Sequence, residues 1–454
     1  MKRLAVLNVV GLSAGLIGEQ MPNLQKFAKG RCLSSFKPAF PAVTCTAQSS
    51  YVTGTGPDQH GIVANGWYHR EAAEVQFWKQ SNHIVKGKKI WERLREKHGN
   101  SFTCAKLFWW YNMYSSADYS ITPRPMYPAD GRKVFDVYTQ PMGVRDEIKK
   151  DLGDFPFPSF WGPKAGIASS KWIAESAKWI EERYEPTLNL VYLPHLDYAL
   201  QKVGPDHESI PKELAAIDRI IGDLIEFFSK RGVELMILSE YGISPVSEVV
   251  CPNRLFRRKG WITIKDELGL EQLDCGASKV FAVADHQVAH IYLNDPSLRD
   301  EVVELLLAQD GVDQVLDGRE VFGNGVGGER AGDLIAVSNS NAWFAYYYWL
   351  DDAKAPDFAR TIDIHRKPGY DPVELFIDPE KRFAKASIVK FLVKKKLGFR
   401  GLLDVIPLDP SLVKGSHGRS EVTDEEQPVF IAPESIGPIS APEQVFGAIE
   451  RWFD

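Results

Sequence analysis

The chain has 454 residues, 44 % of them hydrophobic and 25 % charged, with a formal net charge of −6. That balance describes a globular, core-forming protein and leaves no general attraction to nucleic acid or to an anionic membrane. Five cysteines (Cys32, Cys45, Cys104, Cys251, Cys275) are scattered without a CxxC pair, which fits reduced thiols better than a disulfide framework.

The first segment, MKRLAVLNVVGLSAGLIG, imitates a secretory leader through its basic start and apolar run. Asn8 interrupts that run, and no small-residue cleavage site closes it. The stretch is therefore predicted as a buried strand, LAVLNVV (4–10), ending at Gly11, and a cytoplasmic location is expected. No run reaches the ~18 apolar residues of a membrane-spanning helix.

Next comes FPAVTCTAQSSYVTG (40–54), with hydroxyls at Thr44, Thr46, Ser49, Ser50 and Thr53. A threonine near a helix start is commonly an N-cap; the alternative is a nucleophile. Residues 66–165 are rich in proline and aromatics and read as an insertion. LNLVYL (188–193) and VELMILS (233–239) are continuous apolar runs suited to strands buried on both faces. Between them IPKELAAIDRIIGDLIEFFSKRG has helical spacing and a stop at Gly232. Strand, helix, strand implies a parallel α/β sheet, whose functional residues collect beyond the carboxyl ends of its strands. Residues 276–330 read strand, helix, strand again, as a small cap within a single domain spanning 1–454. The aromatic runs 107–119 and 343–352 read as core and cap packing, and Lys394, Lys395 and Lys396 as a solvated helix end.

The positions after the strands hold the candidate chemistry. His195, Asp197 and Gln201 follow residue 193, Glu240 and Tyr241 follow residue 239, and His417 sits between small residues in KGSHGRS. With Thr44 they offer a hydroxyl, two carboxylates and an imidazole, the set that metal-assisted transfer to a hydroxyl requires.

Residues 40–65, FPAVTCTAQSSYVTGTGPDQHGIVAN, resemble the motif FPxxTxxxxxxxVTGxxPxxHGIxxN of the type I phosphodiesterase / nucleotide pyrophosphatase branch of the alkaline phosphatase superfamily. MPNLQKFAKG (21–30), GPD (204–206), SEYG (239–242) and GSHG (415–418) recur in the expected order. The resemblance implies an alkaline-phosphatase-like three-layer α/β sandwich with a mostly parallel central sheet and an inserted cap. It implies hydrolysis of phosphodiester or pyrophosphate bonds in a small phosphorylated substrate. Thr44 matches the family's nucleophile, which forms a covalent phospho-enzyme, and Asn65 matches the residue that donates to a phosphoryl oxygen. Two metal ions, usually zinc, accompany that chemistry.

The chain departs from this pattern at four ligand positions. The family's first-strand Asp is Val10, with Asn8 deeper on the same face; the His of its DxxxH pair is Gln201; and its later Asp-His pair is Glu240-Tyr241. Asp197, Glu240, His417 and Thr44 are thus the expected ligands of one or two divalent ions, zinc, manganese or magnesium, with oxygen-rich ligation tilting away from zinc. Further candidates are His195, Gln201, Tyr241, and Asp285, His286 and His290, the two histidines expected on one strand face. TIDIHRKPGYDP adds Asp363, His365 and Asp371, with Arg366 and Lys367 as phosphate-binding cations. Two readings stay open: a metal-dependent hydrolase, and a repurposed or inactive member that binds a phosphorylated or lipid-like ligand. A homodimer stays open, and no nucleic acid partner is expected.

Overall fold

The computed structural model describes residues 1–399 and 401–454; Arg400 and the side chains of Lys385 and Lys395 lie outside the described set, so the reading of Lys394–Lys396 is followed only at its two outer residues. Seven strands of one eight-stranded sheet come first along the chain: β1 (Leu4–Val9), β2 (Arg31–Ser35), β3 (Cys104–Leu107), β4 (Tyr119–Pro123), β5 (Val137–Gln140), β6 (Leu188–Leu193) and β7 (Glu234–Leu238). A second, four-stranded sheet follows, built from β8 (Val280–Asp285), β9 (Val288–Leu293), β10 (Val312–Asp317) and β11 (Leu334–Ser338). The chain then returns to the main sheet as β12 (Val429–Pro433).

Across the main sheet the order is β2–β12–β7–β1–β6–β3–β4–β5. Strands β7, β1, β6, β3 and β4 run parallel, while β12 and β5 are antiparallel to the strands they join. Every residue of β1 and β6 is buried, so both faces of the sheet are covered, as the continuous apolar runs require. The covering helices include α1 (Thr44–Thr53), α2 (Ile167–Tyr184), α3 (His195–Val203) and α4 (Ile210–Lys230). In α4, Leu214, Ile217, Ile221, Leu224 and Phe228 recur at three- and four-residue spacing and are buried. Each contributes about 1.5–3 kcal/mol by leaving water. Asp218 shares that face because its carboxylate accepts the backbone N–H groups of Asn23 (3.1 Å) and Leu24 (2.9 Å), orphan donors at the start of the helix Pro22–Ala28.

The stretch 66–165 takes part in the main sheet. Three of its segments, β3, β4 and β5, extend the main sheet itself. Their sequences, CAKL, YSITP and VYTQ, are short and half polar, so no apolar run marked them. Strands β8, β9 and β10 pair with one another and with β11 in a sheet away from the main one. Among the described residues no helix is long and apolar enough to cross a membrane. The five cysteines are free.

Candidate active site

Because β1, β6 and β7 are parallel, their carboxyl ends share one edge of the sheet, and there the chain brings together residues 10, 194–201 and 239–241. Gly11 makes the approach close. It is in the left-handed region (φ +79°), and a Cβ there would lie 3.2 Å from the backbone nitrogen of Asp197. Thr44 opens α1 and is 4 % exposed. The tip of the β8–β9 hairpin comes in from the second sheet. Asp285 pairs with Val288, so His286 and Gln287 form a two-residue turn with His286 at φ +62°.

The polar atoms form one connected network. Thr44 Oγ1 lies 2.9 Å from the Tyr241 hydroxyl, and that hydroxyl donates to Asp197 Oδ1 at 3.2 Å. The tyrosine proton is therefore committed to Asp197, and Thr44 is the donor in its own contact. Gln201 Nε2 donates to Asp197 Oδ2 (2.7 Å), and its Oε1 accepts from the Tyr370 hydroxyl (2.8 Å). The rings of Tyr370, His286, His417 and Tyr241 form a column with successive centroid separations of 3.7, 3.8 and 3.6 Å. His417 Nδ1 donates to the Ala42 carbonyl (2.6 Å), which leaves Nε2 as the lone-pair nitrogen, 3.8 Å from Asp197 Oδ1.

On the other side of Thr44, Glu240 Oε1 accepts from Asn8 Nδ2 (2.6 Å) and Gln48 Nε2 (2.7 Å), while Oε2 has no partner among the described residues. Gln48 is held in turn by the Trp110 N–H (2.7 Å). Asn65 is clamped at three atoms. Its Oδ1 accepts from Cys45 N (3.0 Å), and its N and Nδ2 donate to Asp285 (2.7 and 3.1 Å). Asp285 also accepts from His286 Nδ1 at 2.7 Å.

Burial dominates the electrostatics. It pushes Glu240 up to about 8, against the lowering effect of its two amide donors, and Asp197 up to about 7. Asp285 rises to about 6, again by burial, with the Asn65 donors opposing. His417 and His286 are held well below the ordinary histidine value by the same desolvation. At neutral pH Glu240 is thus mostly neutral, Asp197 is about half ionised and Asp285 is mostly ionised.

The other candidates lie apart from this network. His195 opens α3 but faces away from it, into a cavity it lines with Lys202 and Glu213. Its Nε2 is 2.9 Å from Glu213 Oε2 without hydrogen-bond geometry. His290 is separated from His286 because β9 begins only at Val288, so strand alternation does not connect the two; its ring bridges the Val63 carbonyl (3.2 Å) and the Gly332 N–H (3.0 Å). Lys367 is buried between Asp371 and Glu374, 2.7 Å from each, and Arg366 is paired with Asp357 at the surface (2.9 Å). Neither cation is left for a phosphate as they stand. His365 contacts the Phe77 carbonyl at 3.3 Å, and Asp363 donates its N–H to Glu374. The residues that sequence reasoning passed over are Gln48 and Tyr370. Gln48 follows Thr44 by one helical turn, a spacing that could have flagged it; nothing local distinguishes Tyr370.

The donor set does not fit a two-ion centre in this arrangement. Val10 is buried and apolar, Gln201 turns its N–H toward Asp197, and the Tyr241 ring lies flat (9°) on His417. Among the described residues no group of three or more His, Cys, Asp or Glu converges to hold a metal ion.

The mixed, mostly parallel sheet with its covering helices is shared with solved structures of other proteins. The murine ectonucleotide pyrophosphatase / phosphodiesterase 5, in an inactive form with AMP, superposes with a TM-score of 0.58 at 15 % identity, covering 99 % of this chain and 94 % of that one. Phosphonoacetate hydrolase of Sinorhizobium meliloti, in complex with phosphonoformate, gives 0.60 at 16 % identity, covering 99 % and 95 %. An uncharacterized pyrophosphatase/phosphodiesterase of Schizosaccharomyces pombe is 27 % identical over 238 residues, 50 % of this chain and 41 % of that protein. An ectonucleotide pyrophosphatase/phosphodiesterase of Caenorhabditis elegans is 24 % identical over 239 residues, 51 % and 24 %. The match thus spans less than half the length of these curated relatives. The family model for type I phosphodiesterase / nucleotide pyrophosphatase matches residues 4–371. The chain belongs to this family of hydrolases.

Proposed function

We propose that this protein hydrolyses phosphodiester or pyrophosphate bonds of a small, nucleotide-like substrate, with Thr44 as nucleophile. The observation that carries this reading is the hydrogen-bond chain Thr44–Tyr241–Asp197. As Thr44 Oγ1 attacks phosphorus, its proton passes to the Tyr241 oxygen while the Tyr241 proton passes to Asp197, and the P–O bond to the leaving group breaks. Tyr241 returns to its starting form. Asp197 ends neutral and then gives up its proton to the departed oxygen through solvent. Water cleaves the Thr44–phosphoryl bond, its OH going to phosphorus and its H to Thr44. A carboxylate held near 7 suits a base working at neutral pH. The start of α1 beside Thr44 favours the anionic phosphoryl group. Asn65, fixed by Asp285, has one amide hydrogen left to donate to a phosphoryl oxygen. AMP bound to the fold relative supports a nucleotide-like ligand.

A second reading, ligand binding without turnover, is favoured by one observation: both oxygens of Asp197 already accept hydrogen bonds, from Gln201 and Tyr241, and Tyr241 stacks on His417. Turnover of bis-p-nitrophenyl phosphate decides between them. It is measured after chelation and after re-addition of zinc, manganese or magnesium, for wild type and Thr44→Ala. Turnover that survives chelation and vanishes in Thr44→Ala supports the relay. Turnover that requires a metal overturns it in favour of a rearranged, metal-bound centre. AMP binding without any turnover supports the second reading.

A further inference from the structure

Residues 378–405 form an excursion from the second sheet's core whose base is clamped by the Asp378 N–H on the Val405 carbonyl (2.8 Å) and by Lys381 on Asp404 (2.8 Å). Within it, α5 (Ala384–Lys396) packs against that core through Ile388. Beyond Ile388 and the buried Ala384, several apolar side chains of the helix and its flanks are uncovered. Phe383, Val389, Leu392, Val393, Leu397 and Phe399 are 53–76 % exposed. Val389, Leu392 and Val393 fall at three- and four-residue spacing and share one side of the helix, with Lys390 and Lys394 flanking it.

Charge is one-sided between the clamped ends of this segment. Between residues 382 and 403 the sequence holds Arg382, Lys385, Lys390, Lys394, Lys395, Lys396 and Arg400 and no acidic residue, in a chain of net charge −6. We propose that this helix is a docking surface for an anionic lipid bilayer. The helix would lie in the membrane plane, its exposed side chains entering the headgroup boundary and its cations facing lipid phosphates and carboxylates. Charge complementarity selects this occupant. A second copy would bring like cations together. A nucleic acid would match the charge but leave the bulky apolar side chains unburied. The proposal is independent of whether Thr44 is a nucleophile, since α5 contributes nothing to the Thr44 network.

The test is co-sedimentation of the full chain with vesicles of phosphatidylcholine containing 30 % phosphatidylserine, against pure phosphatidylcholine, at ~0.1 and ~0.5 M salt. Partitioning onto the anionic vesicles only, weakened at the higher salt, is the expected result. Lys390→Ala/Lys394→Ala is expected to weaken partitioning roughly thirty-fold, about five-fold per cation. Val389→Ser/Leu392→Ser/Val393→Ser is expected to abolish it, with an unchanged unfolding temperature showing that the fold is retained. Four outcomes overturn the proposal: no partitioning by wild type, equal partitioning onto neutral vesicles, variants that bind like wild type, or displacement of the bound protein by duplex DNA.

Discussion

The two sides of Thr44 differ in what they keep. On one side Asp197, His417 and Asn65 occupy the positions that the family pattern assigns to ligands and a phosphate contact. On the other, Val10, Glu240 and Tyr241 stand in for an Asp, an Asp and a His. The retained side has been re-wired so that Gln201 and Tyr241 hold Asp197. The altered side has become a neutral amide–carboxyl cluster of Asn8, Gln48 and Glu240. Burial with only amide and hydroxyl partners drives the carboxyls toward their neutral forms, because an unpaired buried charge is too costly. Tyr241 is the joint between the two halves.

That contrast can be broken most sharply at Thr44. Thr44→Ala is expected to lower kcat at least about a thousand-fold, with stability within about 1 kcal/mol of wild type, read by steady-state kinetics and urea unfolding. Tyr241→Phe removes the joint but keeps the ring on His417. We expect kcat to fall about a hundred-fold with little change in KM; a near-wild-type kcat would show that the proton does not travel through this hydroxyl. Turnover should also rise with pH through about 7 as Asp197 ionises, and this limb should be missing in Tyr241→Phe.

Asp285→Ala frees Asn65 and strands its two donors. KM is expected to rise about ten-fold and stability to drop by roughly 2–3 kcal/mol. The smallest effect on activity is expected from Glu240→Gln, within about three-fold in kcat, because the amide copies the neutral carboxyl. Its signature lies in stability. Glu240 has an ordinary value of 4.5 and a folded value of about 8, so folding takes up a proton between those limits. Stability is therefore lost as pH rises across that window. Glu240→Gln should remove this loss, unfolding later than wild type at pH 8 by roughly 2–4 kcal/mol and matching it near pH 4.5. A constant offset at both values would mean that Glu240 is ionised in the folded chain.

The sequence by itself determined the parallel core. LAVLNVV, LNLVYL and VELMILS could only be strands with both faces covered, and the amphipathic segment between the last two could only cross over them. The motif at 40–65 likewise carried the resemblance to the family whose model matches residues 4–371. Net charge was a poor guide to local surface, because seven cations near residue 390 are diluted by acids elsewhere in the chain. Only the tertiary structure decided that CAKL, YSITP and VYTQ belong to the main sheet, since short half-polar strands have no periodic signature. It alone brought Asp285 and His286, more than two hundred residues distant, against Asn65, and turned His195, two residues from Asp197, away. Side-chain direction at a helix start and the reach of a hairpin tip are set by packing between distant segments, which no local pattern encodes.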